Sequence, residues 1–314
     1  MSKEFIQFVK KVKTIDILSI LSILSIKITN YNIKEDIDCS GISNGLYKID
    51  NTLFFIEKIN SIDDYINMSN GIIITSETNF LDSLPLNIIY VEDPRYVFIK
   101  LIEYFKDNHY LYPFTNFITK NKNNISIKSI IHPSVIIEDD VIIEDDVIIS
   151  AGCVIRSGTY IGKNTIIREN CTIGCDGIAL YKSQNNEVLR FPHIAGVFID
   201  DNVEIGANCV IVKGTLSNTS ILSNTVIGNL SNIGHGVKIG KKVWISVGAM
   251  IGGNSIIEDN TTIGLGVSIK DNIYISDGST IGMGSVVTKS LPEKTTIFGN
   301  PAKPLRSLKV GPKR

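Results

Sequence analysis

Isoleucine recurs at every sixth position from Ile221 to Ile281, eleven times without a miss, and Val287 continues the frame. Three places after each isoleucine the chain often carries Gly or Asn, the residues that tolerate positive φ: Asn224, Gly236, Gly248, Asn254, Asn260, Gly266, Asn272, Gly278 and Gly284. One place further on the residue is small or β-branched (Thr225, Val237, Val243, Ala249, Ser255, Thr261, Val267), as a second and tighter inward position requires. The pattern predicts a short strand and a corner in each hexad, with three hexads closing a triangular coil of eighteen residues. Successive coils then pair as parallel strands about 4.7–4.9 Å apart. Isoleucines stack into ladders, and at roughly 1.5–3 kcal/mol per buried aliphatic side chain they can support a rod with no helix packed against it. A helix would need a period of about 3.6 residues, which the six-residue spacing contradicts.

An earlier run, Ile125 to Ile173, keeps the same step over nine isoleucines and predicts three coils. The acidic corners at 138–140 and 144–146 read as solvated faces. The period then disappears over 174–198, resumes out of phase at Ile199, Ile205 and Ile211, and breaks again over 212–220. The first interruption predicts a loop ejected from the coil, a place where a rigid scaffold carries binding groups or packs subunits together. Residues 1–118 lack the period and mix a helix-like run with strand-like LFFIEK, GIIIT and NIIYVED and a helical YVFIKLIEYF. They predict a small α/β domain that could bind a nucleotide sugar, joined by a polar linker around 112–124 to the rod at 119–290. A proline-punctuated basic tail, 291–314, follows.

Composition narrows the function little. A net charge of -1 over 314 residues gives no support for nucleic-acid binding. The apolar run at 15–28 is too short to span a membrane and predicts a buried helix. With no targeting segment the expected location is cytoplasmic. Five cysteines without framework spacing read as reduced thiols. Cys153 and Cys171, eighteen apart, predict neighbours in one core column, with a metal or disulfide pair as the other reading.

Of four histidines, only His193 in the ejected loop and His235 in the long run lie where chemistry is plausible. His235 follows an inward isoleucine by two places, so its side chain reaches the surface near a corner as a proton acceptor or as an ordinary surface histidine. Eighteen residues on, the Gly253 backbone should lie one coil above it, a position for an N–H donor to an oxyanion; eighteen before is Ser217. Zinc would need about three convergent histidines, and the columns near His235 hold no others, so no metal is expected.

The stretches IGCDG (173–177), FPHIAG (191–196), DNVEIGAN (201–208), IGHGVKIG (233–240) and VVTKS (286–290) resemble the UDP-3-O-acylglucosamine N-acyltransferases of lipid A synthesis, with a weaker likeness in VEDPRYVFIKLIEYF. The resemblance implies a mainly β fold, a left-handed parallel β-helix of hexapeptide repeats with a small N-terminal α/β domain. It also implies a homotrimer with active sites between rods, His235 as catalytic base and the Gly253 amide as oxyanion donor. Phe55 matches an aromatic residue that holds a uracil ring. Asp176, His193, Asn229 and Asn272 join it as candidate acceptor-binding residues.

The chain departs from that family in four places. Gly228 stands where an acid is expected below the histidine, Asn272 replaces a second histidine, Ser61 replaces the tyrosine partner of Phe55, and the C-terminal helices associated with acyl carrier protein are missing. The ending GNPAKPLR (299–306) instead resembles coenzyme A-dependent sugar acetyltransferases. Lys289, Lys303 and Arg306 are therefore candidates for the phosphates of acyl-coenzyme A, the last two alternatively forming an exposed basic tail. The sequence thus predicts an N-acyltransferase from coenzyme A to the amine of a nucleotide-linked amino sugar, for a surface glycan. Its rivals are the lipid A enzyme with acyl carrier protein as donor, a non-catalytic trimeric sugar-binding scaffold, and a carbonic-anhydrase-like metalloenzyme.

Overall fold

The computed structural model describes residues 5–43, 49–58, 65, 68–77, 83–111 and 124–304. The chain forms two compact units, Met1–Asn116 with Ile178–Ile194, and Phe117–Gly177 with Ala195–Arg314.

The first unit runs β1 (Phe5–Lys13), α1 (Thr14–Ile23), β2 (Ile28–Asn32), β3 (Asp38–Ser43), β4 (Thr52–Ile56), β5 (Ile72–Thr75), β6 (Asn87–Val91) and α2 (Pro94–Asp107). Its sheet has the order β1-β3-β4-β5-β6-β2. The run from β3 to β6 is parallel, and β1 and β2 close the two edges antiparallel. Strands β5 and β6 are buried at every position, which is why their sequences read as unbroken apolar runs. Helix α1 buries Ile17, Ile20 and Leu21 but leaves Ile15 and Ile23 exposed, so the run expected as a buried helix is one-sided. Helix α2 starts on a proline, with the Asp93 carboxylate accepting from the Tyr96 N–H at 3.0 Å.

The segment that leaves the rod is shorter than 174–198. Thr172–Cys175 and Val197–Ile199 are still rod strands, paired with Val210–Val212 and with Thr159–Ile161. What leaves is 178–194, and it belongs to the first unit. It folds as a hairpin of Leu180–Lys182 and Val188–Arg190. Specific contacts hold it to α2: Tyr181 donates to Asp93 at 2.7 Å, Lys100 pairs with Glu187 at 3.4 Å, and the Phe191 ring lies 6.4 Å from that of Phe98.

The second unit is the β-helix. Three sheets of eight, ten and eight strands form its faces, and every coil-to-coil pairing is parallel until the C-terminal strand. One ladder reads Ile125, Ile143, Ile161, Ile199, Ile221, Ile239, Ile257, Ile275, so both interruptions are absorbed without loss of register. The expected second inward positions are buried as well, Thr225, Val237, Val243, Ala249, Ser255, Thr261 and Val267 among them. All nine Gly and Asn corners named above have positive φ, and Leu230 and Lys242 adopt the same conformation at equivalent places. Cys153, Cys171 and Cys209 are free, fully buried, and follow one another up one column of coils. The rod does not stop near Ser290. Thr296–Phe298 adds another parallel rung on Thr280–Ile281, and Lys303–Pro304 closes it antiparallel. Ile297 lies sixteen residues after its partner Ile281, outside the eighteen-residue frame, which hid this rung.

Candidate active site

One corner of the β-helix gathers the polar chemistry. The ladder Ile233, Ile251, Ile269, Val287 puts the residues two places further on into one column: His235, Gly253, Asp271 and Lys289. Adjacent members are one coil apart, about 4.8 Å. The imidazole lies flat against Gly253: a Cβ built there would stand 2.5 Å from Nε2, 2.6 Å from Cε1 and 2.9 Å from Cδ2. Only glycine leaves room for this ring, and the requirement is one of close approach, since the Gly253 φ is ordinary.

The ladder leaves one amide over at this point. Gly252 N–H donates to the Ile269 carbonyl at 2.8 Å and Asn254 N–H to the His235 carbonyl at 2.7 Å. The Gly253 N–H between them makes no hydrogen bond among the described residues. At equivalent corners the amide is taken by a side chain, as Lys241 N–H is by Asp259 at 2.6 Å. Here a donor beside an imidazole remains for a ligand.

His235 is half-buried, and burial pulls its pKa below the ordinary histidine value; the charge of Asp271 and a hydrogen bond with the Asn254 side chain work in the opposite direction. The ring is therefore neutral at pH 7, as a base must be before it takes a proton. Asp271 is fixed in turn by Asn272, whose side-chain N–H donates to it at 2.9 Å and whose backbone N–H donates to the Gly253 carbonyl at 2.9 Å. Asp271 and Asn254 were missed at the sequence level, although the spacing that finds Gly253 finds Asp271 when applied twice. The carboxylate acting on His235 thus comes from the coils above, while Gly228 has the next coil so close that a Cβ would lie 2.7 Å from Val247 N.

The remaining candidates fall in several places. Ser217 is not one coil below His235: Ile211 pairs with Ile233, a step of twenty-two, because the second interruption adds residues. The residue two places beyond Ile211 is Lys213, and it forms an ion pair with Asp176 at 2.8 Å. Asn229 sits at another corner, accepting from the Ala207 N–H at 2.9 Å. Lys303 is exposed on the closing strand, and Arg306, like Ser61, lies outside the described residues.

His193 and Phe55 belong to the first unit, where His193 is buried. The Phe55 ring lies 4.8 Å from Phe98 and 6.4 Å from Phe191, with the Arg95 guanidinium 5.8 Å above it.

Residues 140–175 match the bacterial transferase hexapeptide (six repeats) model. The chain is 39% identical over 85 residues to the UDP-3-O-acylglucosamine N-acyltransferase of Cytophaga hutchinsonii, a stretch covering 27% of this chain and 24% of that one. It is 48% identical over 69 residues to UDP-3-O-acylglucosamine N-acyltransferase 2 of Legionella pneumophila, covering 22% and 20%. The matched stretches thus span about a quarter of these relatives' length or less. Among solved structures it is similar to a UDP-N-acetylglucosamine acyltransferase from Campylobacter jejuni, 23% identical with a TM-score of 0.46, over 55% of this chain and 73% of that one. Among the described residues no group of three His, Cys, Asp or Glu side chains could hold a metal, and no helix is long and apolar enough to cross a membrane.

Proposed function

We propose that the chain is an N-acyltransferase that moves an acyl group from coenzyme A to the amine of a nucleotide-linked amino sugar. The observation that carries this reading is the imidazole of His235 lying against the Gly253 backbone, whose N–H is unengaged among the described residues. An amine nitrogen attacks the thioester carbonyl carbon while His235 accepts its proton, and the carbonyl oxygen becomes an oxyanion on the Gly253 N–H. Collapse of the tetrahedral intermediate expels the thiolate, which the imidazolium protonates. Asn254 and Asp271 stabilise the imidazolium, and their effect on the pKa already points that way.

Lys289, three coils above His235 at about 14 Å, and the exposed Lys303 supply positive charge for the donor's phosphates. The nucleotide-sugar acceptor is supported by the names of the matched relatives. The alternative donor is acyl carrier protein, and offering both donors decides between them. We also assign a homotrimer: Val247, Leu265 and Met283 rise one above another as exposed apolar residues at the corner that carries Asn229, a stripe that a neighbouring rod would cover.

The test is thiol release by purified protein, with acetyl- and 3-hydroxyacyl-coenzyme A and the corresponding acyl carrier proteins offered against UDP- and dTDP-linked amino sugars. Turnover should require both substrates and fall about 10²–10⁴-fold in His235→Ala. Unchanged turnover in that variant would remove His235 from the chemistry, and silence with every donor would favour a sugar-binding scaffold.

A further inference from the structure

Both substrates of the proposed reaction carry a diphosphate, at very different distances from the bond that forms. In an acyl-coenzyme A about thirteen bonds separate the thioester sulfur from the first phosphorus, the reach of about four extended residues or roughly 13–14 Å. In a nucleotide-linked amino sugar about four to six bonds separate the amine nitrogen from the nearer phosphorus, roughly 5–7 Å. The column through His235 offers a cation at each distance. Lys289 stands three coils above the imidazole, about 14 Å away. Lys213 stands one coil below, about 4.8 Å away along the rod. Its backbone is still in the ladder, the N–H donating to the Cys175 carbonyl at 3.0 Å, before the second interruption leaves the rod. The Gly253 N–H lies above the imidazole, so the thioester is held on the upper side and the acceptor occupies the lower one. Lys213 is well covered, its side chain 23% exposed, and Asp176 holds its ammonium at 2.8 Å. That carboxylate is 52% exposed and is the partner more easily given up to water. A phosphate oxygen can replace it without leaving the ammonium bare, since one anionic acceptor is exchanged for another.

We infer that Lys213 binds the sugar-side phosphate of the nucleotide-linked acceptor, with Asp176 as the counter-ion that the phosphate displaces. This rests on the acyltransferase reading proposed above and adds an anion site on the acceptor side of the base, where Lys289 and Lys303 serve the donor. The two lysines of the column then sort the substrates by length. An acyl-coenzyme A bound the wrong way round, with its diphosphate on Lys213, would carry its thioester roughly 9 Å past His235. An amino sugar with its phosphate on Lys289 would leave its amine about as far short of the base. Each substrate therefore reacts in one direction only, and the spacing that decides it is a count of coils.

The test is thiol release by the full chain, with the KM values for acyl-coenzyme A and for the UDP- or dTDP-linked amino sugar that the wild type turns over measured separately. Lys213→Gln should raise the acceptor KM by about 10- to 100-fold, the range for losing one hydrogen bond to a charged group, with kcat and the donor KM nearly unchanged. Lys213→Arg keeps the charge and should restore most of the affinity. Lys289→Gln should raise the donor KM instead. Asp176→Asn removes the competing carboxylate and should lower the acceptor KM, an effect that a merely structural ion pair would not give. An unchanged acceptor KM in Lys213→Gln overturns the inference while leaving acyl transfer intact, as does an Asp176→Asn variant whose acceptor KM rises as far as that of Lys213→Gln. A wild type silent with every donor and acceptor removes the acyltransferase reading and this inference with it.

Discussion

Gly253→Ala tests the proposed site without deleting any functional group. The new methyl would stand 2.5–2.9 Å from three atoms of the His235 ring, where ordinary contact begins at about 3.4 Å. The backbone cannot yield, since the amides on either side of Gly253 are tied into the ladder at 2.8 and 2.7 Å. The imidazole must therefore retreat by about 1 Å, and a misplacement of that size costs about 10²-fold in rate, or roughly 2.7 kcal/mol in the transition state. Stability should move little: the φ of Gly253 suits alanine, and Gly→Ala at a compatible site gains about 0.4–1 kcal/mol through the unfolded chain. Thiol release should thus show kcat down by about 10²-fold with the KM for the donor and the melting temperature nearly unchanged. An alanine variant that turns over at the wild-type rate would refute the assignment of the imidazole against Gly253 as the reacting centre.

Other expectations follow from the same column and from the core. Because burial holds the His235 pKa below its ordinary value of 6.5, kcat/KM should be flat above pH 7 and decline only below 6.5. The linked contribution to stability has the same sign: present above the unfolded pKa and lost as pH falls through the lowered one. Asp271→Asn removes the charge that raises this pKa, so the acid limb of the rate profile should move to still lower pH; no movement would exclude Asp271 as the group acting on His235. Ile245→Asp puts a carboxylate at a fully buried rung, at a cost of several kcal/mol, and should abolish soluble protein; a mutant with the normal melting temperature would contradict the six-residue frame.

The coil geometry was legible in the sequence because its period is itself physical: each isoleucine must face inward, and the chain has one way to repeat that every six residues. The same count from His235 succeeds upward to Gly253 and fails downward to Ser217, since the second interruption lengthens that one step to twenty-two. The apolar runs of β4, β5 and β6 announced themselves, whereas β1, β2 and β3 did not, β2 because its middle three positions are exposed. The destination of the hairpin was beyond reach. Its anchors join residues such as Tyr181 and Asp93, 88 positions apart, and no period connects them.

That hairpin also bears on how the protein is made. The compact unit that begins at Met1 takes its last segment from Ile178–Ile194. A ribosome adding about 5–20 residues per second needs roughly 4–16 seconds to travel from residue 116 to residue 194. During that interval the amino-terminal fold waits with Asp93 and Phe98 uncovered, and several β-helix coils emerge first. Birth order and assembly order therefore differ, and the oldest part of the chain is among the later ones to be finished.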